Sequence, residues 1–116
     1  MAKLSIRADD TPQGTIVTVA GDVSVTEAEE FERQLMALAD PQTPQFVLDL
    51  SGLTFAASLA IGALLRFRNE VTGSGGRVAL AAVQPMVHDS FRRAQLHRVF
   101  TIYPTVREAL NDNVVT

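Results

Sequence analysis

The stretch "FVLDLSGLTFAASLAIGALL", Phe46 to Leu65, decides how the rest of the chain is read. Its opening, with Gln45 before it, is "QFVLDL", a short apolar run that suits a strand buried on both faces. "SGLTFAA", Ser51 to Ala57, has the Ser, Gly and Thr content of a loop leaving that strand. From Ser58 to about Thr72 the period changes. Ile61, Leu64, Phe67 and Val71 recur every three or four residues, while Arg66, Asn69 and Glu70 gather on another side, as in a helix with one core-facing stripe. "GSGG" (73–76) ends it, because glycine tolerates left-handed backbone. The apolar run "RVALAAV" (77–83) follows as a further buried strand, so strand, helix and strand form a βαβ unit with parallel pairing.

The flanks extend this pattern. "KLSIRA" (3–8) alternates Leu4 and Ile6 with polar neighbours, "TPQG" (11–14) is turn material, and "TIVTVAG" (15–21) is β-rich, which together predict a hairpin. In "SVTEAEEFERQLMALAD" (24–40), Ala28, Phe31, Leu35 and Leu38 make one helical face. Ser24 with Glu27, or Thr26 with Glu29, fits a capping box, and Asp40–Pro41 ends the helix. After the central unit, "QPMVHDSFRRAQL" (84–96) predicts a third helix with Pro85 in its first turn. "VFTIY" (99–103) predicts a last short strand, and "PTVREAL" (104–110) a final short helix. The expected fold is a single α/β domain over 1–116, with its core at about 3–110 and a flexible tail at 111–116. Its order is β-β-α-β-α-β-α-β-α, a mostly parallel mixed sheet of four to five strands with about four helices.

Composition narrows the function classes. The chain has 116 residues, 47% hydrophobic and 20% charged, which fits one folded domain rather than a disordered segment. The start "MAKLSIRADD" has no apolar run after its lysine, so it does not read as a signal peptide. The longest mostly apolar segment, Leu53 to Leu65, is too short to cross a bilayer. Cysteine is absent, which excludes disulfide and thiolate chemistry. These features predict a cytoplasmic protein. A net charge of −3 without a dense basic block argues against nucleic acid or an anionic membrane as the main partner.

Catalytic and metal motifs are thin. "GSGG" lies between a helix and a strand, the wrong order for a phosphate-binding loop. His88 and His97 are the only histidines, nine apart and without acids at ligand spacing, so neither a metal nor another cofactor is expected. A Ser58–His–Asp arrangement is compatible with any chain order, but "AASLA" is not a nucleophile elbow. Arg92 and Arg93 read as a solvated helix face. Ser58 itself reads as the N-cap of its helix. The small and aliphatic residues around it, Phe55, Ala56, Ala57, Leu59 and Ala60, sit at the carboxyl end of a parallel strand, where open α/β sheets present their binding edge. A flat apolar patch there suits a protein partner better than a small molecule.

The same order of elements resembles the STAS domain of bacterial anti-sigma factor antagonists, from about Leu4 to Leu110. "VAGDVSVTEAEEF" (19–31) is similar to that family's Gly-Glu-Leu-Asp stretch, with Asp22 at the Glu position and Ser24 at the Asp position. "FVLDLSGLTFAASLAIGALL" resembles its strand, "DLSG" turn and second helix; "GGRVAL", "VFTIYPTVREAL" and the pair Leu96 and Phe100 also agree. The resemblance implies a non-enzymatic adaptor that binds an anti-sigma factor of the ATPase-type serine kinase class and releases it once a serine, here Ser58, is phosphorylated. The partner-binding residues it implies are Asp22, Ser24, Phe55, Ala57, Ser58, Leu59 and Arg66. The chain departs from the family where Ala57 replaces an acid, Leu59 a hydroxyl residue and Ala60 a glycine. Two alternatives therefore stay open beside a phosphorylated switch: a constitutive docking scaffold, and a nucleotide- or lipid-binding domain using Arg66 and Arg68. A weak homodimer through the apolar edge is a further expectation.

Overall fold

The computed structural model describes residues 3–112. A hairpin opens the fold: β1 (Ser5–Thr11) and β2 (Gly14–Val23) run antiparallel around Pro12–Gln13. α1 (Val25–Leu38), β3 (Gln45–Ala56), α2 (Ser58–Gly73), β4 (Arg77–Ala81), α3 (Pro85–Arg93), β5 (Ile102–Tyr103) and α4 (Val106–Asn111) follow. The sheet order is β1-β2-β3-β4-β5, with every pair after the hairpin parallel. This is the expected α/β architecture and element order, with five strands and four helices among the described residues.

Strand alternation sorts the side chains into two layers. Val17, Val19, Phe46, Leu48, Leu50, Val78 and Leu80 face α1, α2 and α3 and build the main core with Phe31, Leu35, Leu64, Phe67 and Phe91. Val47, Ala79 and Ala81 face the other way and are covered by α4 through Ala109, Val106 and Leu110. Leu96 and Phe100 are both buried in the main core.

Four expectations change. "SGLTFAA" is not a loop: β3 continues to Ala56 alongside β2, with Ala20 opposite Gly52, Asp22 opposite Phe55 and Val23 opposite Ala56. The register shifts twice, between Thr18 and Ala20 and between Gly21 and Asp22, so β3 carries two extra residues as bulges. The Ser and Gly content serves these bulges rather than a turn. "RVALAAV" ends as a strand at Ala81, because Ala82 turns left-handed at φ 59°. In "VFTIY" only Ile102 and Tyr103 pair; Leu96–Arg98 forms a 3₁₀ turn before them. Asn111, expected in the tail, closes α4, and residues 113–116 lie outside those described.

Gly21 needs its freedom. It sits at φ 101°, and a Cβ there would stand 2.3 Å from the Lys3 carbonyl oxygen. Glycine alone lets the entry to β1 pass this close to β2, just before Asp22.

Candidate functional site

The carboxyl ends of β2 and β3 lie side by side, and the Ala57 N–H donates to the Val23 carbonyl at 2.9 Å. That bond fixes where α2 begins. Ala57 is extended (φ −71°, ψ 166°), and its carbonyl accepts from Ala60 and Ile61 N–H at 2.9 and 3.1 Å. Ala57 is therefore the N-cap and Ser58 the first helical residue, which corrects the reading of Ser58 as the cap. Among the described residues the exposed Ser58 hydroxyl makes no side-chain hydrogen bond within the fold. Its hydroxyl is free because the cap role has passed to a neighbour without a polar side chain.

The bulge at Thr54 breaks strand alternation, so Thr54 and Phe55 are both exposed while Leu53 and Ala56 on either side are buried. Phe55 thus points out of the sheet edge beside α2. Leu59, next to Ser58, is also exposed. Phe55, Ala57, Ser58 and Leu59 line one open groove, and α1 and α3 supply Val25, Ser90 and Arg93 to it. Met86 extends the wall on α3. Among the described residues five large apolar side chains are exposed, Val25, Phe55, Leu59, Met86 and Val99, and all but Val99 belong to this one trough. Val25, Met86, Ser90 and Arg93 carry no local sequence signal for this role; only the topology brings α1 and α3 to the start of α2.

The other expected site residues are engaged within the fold. Asp22 accepts a hydrogen bond from the Thr54 hydroxyl across the β2–β3 edge. Ser24 caps α1: its N–H donates to Glu27 Oε1 at 3.2 Å, its hydroxyl donates to the same carboxylate, and these bonds with that of Thr26 hold the Glu27 carboxyl below its ordinary value. The box is Ser24 with Glu27, not Thr26 with Glu29. Neither Asp22 nor Ser24 lines the groove around Ser58. Arg66 makes a two-pronged pair with Glu32, Nε and Nη2 donating at 2.7 and 2.6 Å, and so ties α2 to α1 at the trough's end. Gly62 leaves room for it, since a Cβ there would sit 3.3 Å from Arg66 Nη1. Arg68 donates to the Val99 carbonyl at 3.0 Å. The two arginines proposed for an anionic ligand are thus already partnered.

Both histidines lie elsewhere. His88 faces Ala82 and Ile102 on the other side of α3, and His97 is exposed in the 3₁₀ turn. No histidine or carboxylate lines the groove beside Ser58, and no cluster of three metal-ligating side chains occurs among the described residues. No helix among them is long and apolar enough to cross a membrane.

The Arg66 pair sets a pH dependence. Its hydrogen bonds hold the Glu32 carboxyl below the ordinary glutamate value of 4.5. A carboxyl depressed by folding contributes stability above its unfolded value and loses it as pH falls through the folded one. Wild type is therefore expected to exceed Glu32→Gln by a constant, small margin at neutral pH, and the margin shrinks as pH drops below about 4.5. Paired urea titrations from neutral to acid pH check this; a margin that grows on acidification contradicts it.

The sequence profile of the STAS domain family matches residues 5–109. An anti-sigma factor antagonist from Mycobacterium paratuberculosis superposes with a TM-score of 0.85 at 23% identity, covering 95% of this chain and 93% of that one. An anti-sigma-factor antagonist (STAS) domain protein from Planctomyces limnophilus gives 0.83 at 24% identity, with 95% and 98% covered. The Bacillus cell fate determinant SpoIIAA in its phosphorylated form gives 0.69 at 18% identity, with 96% and 100% covered.

Proposed function

The chain belongs to the STAS domain family, and from that premise we propose that it is an adaptor of the anti-sigma factor antagonist type, acting in the cytoplasm. Its partner is an anti-sigma factor of the ATPase-type serine kinase class, docked on the trough around Ser58. One observation carries this reading: three of the five exposed large apolar side chains among the described residues, Val25, Phe55 and Leu59, line one groove with the exposed Ser58 at the carboxyl edge of the sheet, and a fourth, Met86, lies in the adjoining depression. Such a concentration marks an association face, and its openness suits a protein rather than a small substrate. Ser58 has no neighbouring base in the groove to make it a nucleophile. A docking role fits that chemistry.

Phosphorylation of Ser58 is the control this geometry favours. A phosphoserine carries about −1.5 to −2 charges at neutral pH. At the first position of α2 the helix's own amides and dipole favour that charge, so the fold stays intact. The partner instead would have to bury a dianion among Val25, Phe55 and Leu59, with Arg93 the one cation on the groove's wall, which costs several kcal/mol unless the charge is fully paired. SpoIIAA has been solved both phosphorylated and unphosphorylated, which supports carrying this switch over to the present chain. Asp22 and Ser24 would steady the edge behind the groove, and Arg66 would hold α1 beside Leu59. A constitutive scaffold is the second reading, favoured by Ala57 and Leu59, which leave no acid beside Ser58 for a kinase to recognise. Incubation with the kinase-class partner and ATP, followed by intact mass and peptide mapping, tests the switch. One phosphate on Ser58, with loss of the complex, is the expected result. A complex that persists with no phosphate added decides for the scaffold.

A further inference from the structure

We propose that Arg93 is the intramolecular counter-ion of a phosphate on Ser58, so that the modification latches α3 to the start of α2 across the groove. The inference rests on the proposed switch and names the residue that holds its phosphorylated state. Arg93 lies in the last turn of α3, is exposed, and lines the groove together with Ser58. Its guanidinium has no carboxylate within ion-pair distance among the described residues, and its one side-chain hydrogen bond is a long one to Ser90 Oγ, at 3.4 Å. The Ser58 hydroxyl is likewise unbonded. One group that can carry a phosphate and one whose planar fork of donors suits a phosphate thus face a common groove, each without a partner.

The other charges nearby do not contest this pairing. Ala57 and Leu59 put no charge beside Ser58, α2 has no acid in its first turn, and α1 reaches the groove only through Val25. Glu29 and Glu32 lie beyond Leu59 in the next depression, where Glu32 is paired with Arg66. Asp22 is engaged by Thr54. Asp89 is the one carboxylate at Arg93's end; it lies in the adjoining depression rather than in the groove with Ser58, and it forms no ion pair. A phosphate brings about −1.5 to −2 charges and three acceptor oxygens, so it outcompetes a single exposed carboxylate for the guanidinium. An acid at position 57 would repel that phosphate, and Ala57 removes the repulsion. One guanidinium supplies one positive charge, so the paired phosphate stays net negative. The latch therefore secures the modification without making the groove acceptable to an apolar partner.

Phosphoserine installed at position 58 during translation of the whole chain tests this without any kinase. The phosphorus resonance, followed against pH, reads the second ionisation of the phosphate, ordinarily near pH ~6. A cation paired with the dianion lowers that value. Arg93→Gln should therefore raise it by about half a unit, an approximately threefold loss of preference for the dianion. Arg93→Lys should recover about half of the shift or more, since it keeps the charge but not the planar fork. The phosphorylated wild type should also melt about 2 °C above phosphorylated Arg93→Gln. The two unphosphorylated proteins should melt together, because the side chain is exposed. A titration that Arg93→Gln leaves unchanged assigns Arg93 to Asp89 and overturns the inference, as does a shift that Arg93→Lys does not recover. If the pattern holds but the kinase-class partner leaves Ser58 unmodified, the proposed switch fails alone. If that partner phosphorylates Ser58 but the titration ignores Arg93, this inference fails alone.

Discussion

Leu59→Asp is expected to weaken binding of the kinase-class partner by about 100-fold or more while leaving the unfolding midpoint nearly unchanged. Leu59 is 54% exposed and borders two of the depressions that make up the trough, so a docked partner covers it from both sides. A carboxylate in that position loses its water on docking, and Arg66, which lines the same depression, is already held by Glu32. Desolvating an unpaired charge costs several kcal/mol, and about 2.7 kcal/mol is already 100-fold in affinity. The free protein pays little: the substitution sits in the first turn of α2, where an acid is favoured by about 0.3–1 kcal/mol. Isothermal titration calorimetry reads the affinity and a urea titration the stability. Binding within threefold of wild type would place the docking surface elsewhere.

Phe67→Ala is expected to lose about 3–5 kcal/mol of folding stability. Phe67 is fully buried on α2 and meets Phe46 of β3 edge to face, with ring centroids 5.2 Å apart and planes at 74°. Removing it takes away its burial and the aromatic contact, and it leaves a hole between α2 and the central strand that a close-packed core fills only in part. For a domain of this size the melting midpoint should fall by roughly 15 °C. The urea dependence of the unfolding free energy should keep its slope, since the surface exposed on unfolding is little changed. Phe55→Ala supplies the contrast. That ring is 51% exposed on the trough wall, so its loss should move stability by less than ~1 kcal/mol. Equal losses for the two phenylalanines would mean that the division between core and face is drawn wrongly.

These two phenylalanines show what the chain discloses locally. Phe67 sits in a run whose apolar residues recur every three or four positions, and that period alone puts it on the buried side of α2. The same logic identifies Ala28, Phe31 and Leu35 on α1, and the double burial of "QFVLDL" identifies the central strand. The Ser24–Glu27 cap is legible as well, because its partners are three residues apart. Phe55 is different. Its neighbours Ser51, Gly52 and Thr54 have the composition of a turn, yet they lie in a bulged strand because β2 offers matching backbone groups from more than thirty residues away.

Periods of two and 3.6 residues act within a segment, so the amino-acid sequence by itself determined the α/β order, the buried faces and the approximate helix bounds. Bulge register, the start of α2 at Ala57 rather than Ser58, and the capture of Arg66 by Glu32 depend on groups far apart in the chain. So does the gathering of Val25 from α1, Leu59 from α2 and Arg93 from α3 in one groove with Ser58. Only the tertiary structure decided these, because parallel pairing sets the carboxyl ends of successive strands together and brings the three helices that pack on that face to one edge.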